Sequence, residues 1–413
     1  MGAGERIFQR KGAFLLSSPA ASAKTPARAI ALLALASFAS QTMVRVADPL
    51  LPQIAADVGT TVGTASVITS AYAVSHGASL LIAGPFGDRF PKYAIVTLVT
   101  LLCAVTVAAC AASRTLTELG IARLLSGLTA GPIITFGIAF IGDTVPYEKR
   151  QPVIGRFLAG QILGLAAGQV IGGVIGDYFG WRSVFYFIAA LFLLVGIGLA
   201  IELFRNPLAR QNPPREEQAM SFVGGYVAVL KTPWARIILF AVFAESALFF
   251  APFAFIGADL HARQSLSFTA VGAVLSMFGV GGLIYVVTVQ NLVRRLGQQG
   301  LVICGGILMA LAFLALALPL WWVSAGAIAA TGLGLYMMHN TLQVNATQMA
   351  PQNRATAMSL FTVHLYVGQA AGVAAVAPLI DRYGAPPIYI ATALLWPLLA
   401  LWFVRKLRTK TAG

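Results

Sequence analysis

Residues 164–180 read GLAAGQVIGGVIGDYFG, and residues 368–384 read GQAAGVAAVAPLIDRYG. Gly164, Gly168, Asp177 and Gly180 meet Gly368, Gly372, Asp381 and Gly384 at one constant offset of 204, and Arg150 meets Arg354 at the same offset. A match held at fixed spacing across half of a 413-residue chain marks two copies of one structural unit. Within the first copy Gly164, Gly168, Gly172 and Gly176 recur every four residues, so they share one face of a helix.

What surrounds these stretches sets the solvent. The chain is 58% hydrophobic and only 10% charged, against roughly 25% charged in an average soluble domain. That is too little polar surface to cover a water-soluble core of this size, so lipid must be the main solvent. A helix crossing a bilayer needs about 20 mostly apolar residues. By that ruler the spans are 28–50, 62–83, 93–112, 117–140, 153–176 and 183–203, then 234–257, 268–290, 299–318, 321–346, 355–380 and 387–404. The expected fold is an all-α membrane protein of 12 transmembrane helices in two pseudo-symmetric six-helix bundles. Its parts are a tail (1–27), a first bundle (28–203), a polar linker (204–232), a second bundle (233–405) and a C-terminal tail (406–413).

The net charge of +14 is scattered in short clusters between apolar runs. A nucleic-acid surface would need one contiguous basic patch, so nucleic acid is excluded as a partner. With the N-terminus in the cytoplasm, 22 of the 28 basic residues fall on the inner side and four in outer loops. That bias predicts both termini cytoplasmic in a multi-pass bacterial inner membrane. The basic N-terminus lacks a cleavage pattern after a short apolar region, so the first helix is expected to be an uncleaved anchor. Cys103, Cys110 and Cys304 lie inside apolar runs without metal-ligand spacing, and no HExxH or Walker loop occurs; no metal and no cofactor is expected.

Between spans 2 and 3 stands Gly84-Pro85-Phe86-Gly87-Asp88-Arg89-Phe90-Pro91-Lys92. This resembles the cytoplasmic gating signature of the major facilitator superfamily, with Pro91 where that family usually has Gly. The resemblance runs from about residue 28 to 405 and is nearest to the 12-helix drug:proton antiporter branch. A carboxylate in such a loop can bond the N-terminal amides of a neighbouring helix, here the one beginning near Arg354. Gly84, Gly87, Asp88, Arg89, Lys92, Arg150 and Arg354 are therefore the expected gate. Gly155, Gly164, Gly168, Gly172 and Gly173 resemble the superfamily's antiporter signature, with Gln169 in place of Pro. Small residues there let backbones approach closely whichever way cargo moves. Arg123 resembles the family's span-4 arginine, whose implied role is to assist proton transfer; a structural cation is the alternative.

The remaining polar residues at membrane depth are costly, at ~2.5–3.5 kcal/mol for a charge at the helix centre, and so mark a pathway. Gln41, Arg45 and Asp48 share one face of span 1, where Arg45 and Asp48 can pair; Asp48 also resembles an end-of-helix acid of the antiporter branch, and with Arg45 it is a proton-coupling candidate if it lies deep and an outer-mouth acid if it lies shallow. Glu245 lies near the middle of span 7 with no cation within a turn. A carboxylate alone in low dielectric tends to be neutral and can load and release a proton. Phe249 and Phe253 continue its face. Tyr72, His76, His339, Asn340 and His364 add polar positions in spans 2, 10 and 11; hydrogen-bonded structure is the ordinary role for each histidine.

Together these residues predict a secondary active transporter rather than an enzyme: a proton-coupled exporter of small amphipathic or drug-like compounds, working by alternating access. Proton symport or uniport of a metabolite is the alternative within transport. A non-transporting receptor or scaffold has no need of Glu245, Arg45 and Arg123 at membrane depth. The expected partners are a small-molecule substrate, protons and the lipid bilayer, with the chain acting as a monomer.

Overall fold

The computed structural model describes residues 26–87, 90–211 and 222–411. Among them there is no strand. Twelve long helices run back and forth: α1 (Ala27–Arg45), α2 (Val67–Gly87), α3 (Lys92–Ala112), α4 (Leu116–Thr144), α5 (Tyr147–Phe179) and α6 (Trp181–Arg205) form the first half. In the second half α7 is Pro233–Gln264, and one continuous stretch, Phe268–Leu316, is divided by Gly297 (φ 61°) into α8 (268–296) and α9 (298–316). Trp321–Ala346 is α10, Arg354–Tyr383 is α11 and Pro386–Thr411 is α12. A short helix, Phe222–Lys231, precedes α7.

Local chemistry explains where these helices stop. The span expected at 28–50 ends as α-helix at Arg45, because Pro49 has no N–H to give the Arg45 carbonyl, and Asp48–Leu50 turns as a 3₁₀ helix. Several helices outrun the apolar ruler: α5 extends six residues before and three beyond 153–176. It ends where Gly180 takes φ 80°, and α11 ends where Gly384 takes φ 73°. A side chain rarely tolerates that backbone, which is why the repeat closes on Gly both times.

The glycine ladder proves to be a helix seam, used twice. In α5, a Cβ at Gly164, Gly168 or Gly172 would run into the carbonyl oxygens of Phe38 and Thr42 on α1 and of Val46 just past its end. In α11, Gly368 and Gly372 stand in the same way on Phe243 and Ala247 of α7. Gly173 faces the other half, against the Phe268 carbonyl of α8, while nothing lies near Gly155.

Each half has its own core, one drawn from residues between Ala29 and Ala209, the other from residues between Val229 and Leu407. The outward surface is apolar: Val105, Leu194, Val287 and Leu394 are each at least 66% exposed, as side chains facing lipid should be. The start of α1 and the end of α6 lie at one end of the bundle, where Arg28 pairs with Glu202 (3.4 Å), here the terminal face. At the opposite, far face Tyr178, Phe179, Trp321, Trp322 and Tyr383 are exposed, matching the aromatic belt of a membrane boundary. The halves meet along α2 against α11, where Gly77 backs onto Tyr366 and the Ser359 hydroxyl donates to the Leu80 carbonyl (3.1 Å). They also meet along α5 against α8, where Gly272 lies on the Gln169 carbonyl.

Candidate functional site

Between the halves lies a cavity of about 180 Å³. Its wall comes from α1 (Gln41, Val44, Arg45), α5 (Leu165), α7 (Glu245, Ser246, Phe250), α8 (Phe278), α10 (Leu335, Tyr336, His339) and α11 (Leu365, Tyr366, Gln369). Apolar side chains dominate it, and the charged groups stand at two poles.

Glu245 is 1% exposed, and its Oε2 lies 2.7 Å from Nδ1 of His339. The two residues are 94 apart in the chain, so the carboxylate that looks solitary on its own helix acquires its partner only when α10 packs beside α7. Either the imidazole donates N–H to a carboxylate or a carboxylic acid donates O–H to the imidazole; both forms hold one shared proton. The other oxygen, Oε1, is buried with no hydrogen-bond partner among the described residues. An acid with an unused acceptor, beside a titratable base, is a unit able to gain and lose one proton.

Arg45 forms the second pole. Its Nη1 donates to Asp48 Oδ2 at 3.2 Å, as their spacing on one face predicted. Its guanidinium also lies 4.3 Å from the ring centre of Phe250 and 5.3 Å from that of Phe253. A cation of the first half is thus held on aromatic faces of the second, a contact that contributes about 0.5–2 kcal/mol where water is excluded.

Arg123 stands apart from the cavity wall. It is fully buried, donates from Nε to the Ile68 carbonyl (3.3 Å) and from Nη1 to the Met43 carbonyl (3.2 Å), and covers the Tyr72 ring at 4.3 Å. It ties α4 to α1 and α2. Replacing Arg123 with Met should destabilise the protein by about 1–3 kcal/mol, because main-chain acceptors lose their donor. Thermal unfolding in detergent measures this, and an unchanged midpoint would exclude the tying role.

The other sequence candidates are dispersed. His76 is buried between the rings of Tyr72 and Tyr366, with centroids at 5.5 and 4.5 Å. Gln169 is buried at the α5–α8 seam. Asn340 donates to the Tyr285 hydroxyl (2.7 Å), and His364 pairs through Nδ1 with the Leu360 carbonyl of its own helix (2.8 Å). Phe249 and Phe253 pack against Phe278, one ring tilted and the other edge-on (centroids at 5.3 and 5.4 Å), and it is Phe250 of α7 and Phe278 of α8 that line the cavity. At the terminal face Lys92 pairs with Asp143, and Arg150 donates to the Gly142 and Val145 carbonyls, all within the first half. Arg354 opens α11. Asp88 and Arg89 lie outside the described residues, as do the surroundings of Gly84 and Gly87 at the end of α2.

Sequence reasoning missed Ser246, Phe250, Phe278, Tyr336, Tyr366 and Gln369. Of these, Gln369 and Ser246 offered a signal of the kind used elsewhere, a polar group inside an apolar span. For the aromatics, no feature of the chain separates those facing the cavity from those facing the core.

Residues 33–373 match the family model described as the Major Facilitator Superfamily. The chain is 26% identical over 362 residues to the uncharacterized MFS-type transporter YwfA of Bacillus subtilis, covering 87% of this chain and 86% of that one. It is 27% identical over 351 residues to a chloramphenicol resistance protein of Streptomyces lividans, covering 83% and 86%. Its fold is similar to that of the nucleoside transporter NupG, with a TM-score of 0.75 at 14% identity over 91% of this chain and 99% of the other.

Proposed function

The chain belongs to the Major Facilitator Superfamily, and we propose that it is an exporter that moves small amphipathic compounds outward in exchange for protons. That it is a membrane transporter and not an enzyme follows from the family; coupling, direction and cargo are the proposal. The observation that carries it is the Glu245–His339 pair in the wall of the central cavity.

The cycle needs one site and two openings. When the cavity opens to the proton-rich side, water reaches Glu245 and a proton loads, leaving the pair without net negative charge. When it opens to the cytoplasm, an amphipathic cargo places its apolar part on Phe250, Phe278, Leu335 and Leu365 and its polar or cationic part at the pair, and the proton leaves. The Arg45–Asp48 pair stays as a fixed cation and anion at the other pole. Residues 28–203 rock against 233–405, with both termini, the 204–232 linker and thus the terminal face in the cytoplasm of a bacterium, the chain acting as a monomer. The resistance protein among its relatives supports export of a drug-like cargo.

Purified protein in liposomes with an imposed pH gradient, offered chloramphenicol, cationic dyes and nucleosides, tests the reading. The expected result is movement of at least one compound against the proton flow, only while the gradient lasts. Equal movement without the gradient removes proton coupling, and movement with the protons makes the protein an uptake symporter.

A further inference from the structure

The aspartates of the internal repeat have no part in the cavity, yet both reach across to the opposite half. Asp381, at the end of α11, accepts from the main-chain N–H of Gly63 (2.8 Å) and from the hydroxyl of Thr61 (2.6 Å), at the start of the one-turn helix Val62–Ala65 that leads into α2. Asp177, at the end of α5, accepts from the main-chain N–H of Thr269 in the first turn of α8 (3.2 Å). Local capping is the same at both places. Thr61 accepts from the Thr64 N–H and Ser267 from the Ala270 N–H, each three residues on. A helix start leaves several N–H groups unsatisfied. Here the hydroxyl of the own half takes one, and the carboxylate of the other half takes the one before it.

The backbones at these points are also closed on each other. A side chain at Gly63 would run into the Ala377 carbonyl, and one at Gly173 into the Phe268 carbonyl. The two contacts are related by the repeat, lie at the far face, and are water-exposed at the carboxylates, Asp381 and Asp177. A bond at a wetted rim can be exchanged for bonds to water as the halves separate, so it biases the equilibrium without locking it.

We propose that Asp177 and Asp381 are positioning residues that hold the far face closed, each by capping in trans the first turn of the helix that faces it. They act through helix placement and touch no cargo. The inference rests on the reading of the chain as an alternating-access transporter, but not on proton coupling or on any particular cargo.

The test is double electron–electron resonance on full-length protein in lipid nanodiscs, with the native cysteines replaced. Spin labels go on far-face loops of the two halves, at Arg114→Cys and Leu318→Cys. Relative to wild type, Asp177→Ala/Asp381→Ala should increase the longer-distance population at least severalfold, and each single variant should give a smaller increase. Asp57→Ala removes a far-face carboxylate that bonds Trp181 and Arg182 within its own half, and should leave the distribution unchanged. Thr269→Pro reaches the same contact from the donor side: it deletes the N–H that Asp177 uses, at a first-turn position where Pro is tolerated. It should shift the distribution in the same direction and serves if the double variant is not monodisperse. Unchanged distances in the aspartate variants and in Thr269→Pro, or an equal shift in Asp57→Ala, would overturn the latch. Because neither cargo nor a pH gradient is present, that failure is separate from failure of the exchange mechanism.

Discussion

Glu245→Gln is expected to abolish concentrative transport while leaving the protein folded. One pH unit is worth about 1.4 kcal/mol per proton, so a one-for-one exchanger accumulates cargo about tenfold under that gradient. Without a titratable acid at the cavity the ratio should fall to about one, with downhill exchange persisting. Gln keeps the size of the side chain and can still hydrogen-bond His339 Nδ1, so the unfolding midpoint should hardly move. His339→Gln makes the complementary change: the carboxylate remains and loses its titrating partner. Its pH–rate profile should move while accumulation survives in part, since His339 Nδ1 lies 2.7 Å from the carboxylate assigned the proton. Cargo flux in liposomes at a series of internal and external pH values reads both variants. Tenfold accumulation by Glu245→Gln would take this acid out of the mechanism.

The second large effect is on folding. Gly168→Leu should prevent stable assembly, because the new side chain must enter the space held by the Thr42 carbonyl on α1. Overpacking a close-packed core costs about 1–3 kcal/mol and occasionally more, and a main-chain atom cannot rotate out of the way as a side chain can. Gly372→Leu should do the same in the second half, against Ala247 of α7. Gly155→Leu belongs to the same sequence signature and should be tolerated, because its Cβ would meet open space. Fluorescence-detected size exclusion of the three variants, followed by thermal unfolding, makes the comparison. Equal yields of Gly155→Leu and Gly168→Leu would show that the ladder does not set the α1–α5 distance.

How much of the site was legible depends on how local each signal was. The Arg45–Asp48 pair could be read from the sequence because three residues along a helix fix a distance. Glu245 was recognised as a costly charge at membrane depth, but not its partner, since nothing on α7 points to position 339. Phe249 and Phe253 continue the face of Glu245 by helical spacing. In the structure Phe250 stands at the cavity wall instead, and those two pack against Phe278. Arg123 stood out for its charge, yet its bonds to Met43 and Ile68 depend on how three helices pack. The repeated aspartates were visible as a repeat, and a cap bridging the halves appeared only once the halves were docked.

The sequence by itself determined the solvent, the helices and their doubling. Lipid requires unbroken apolar length because a bilayer offers main-chain groups no water, and proline, glycine and charge act within a turn of where they stand. Tertiary structure alone decided which face each helix turns to its neighbours, and so which residues meet across 94 positions between α7 and α10 or 318 between Gly63 and Asp381. The physical reason is that helix rotation and docking are set by the sum of many small packing contacts over both bundles. No short stretch of the chain encodes that sum.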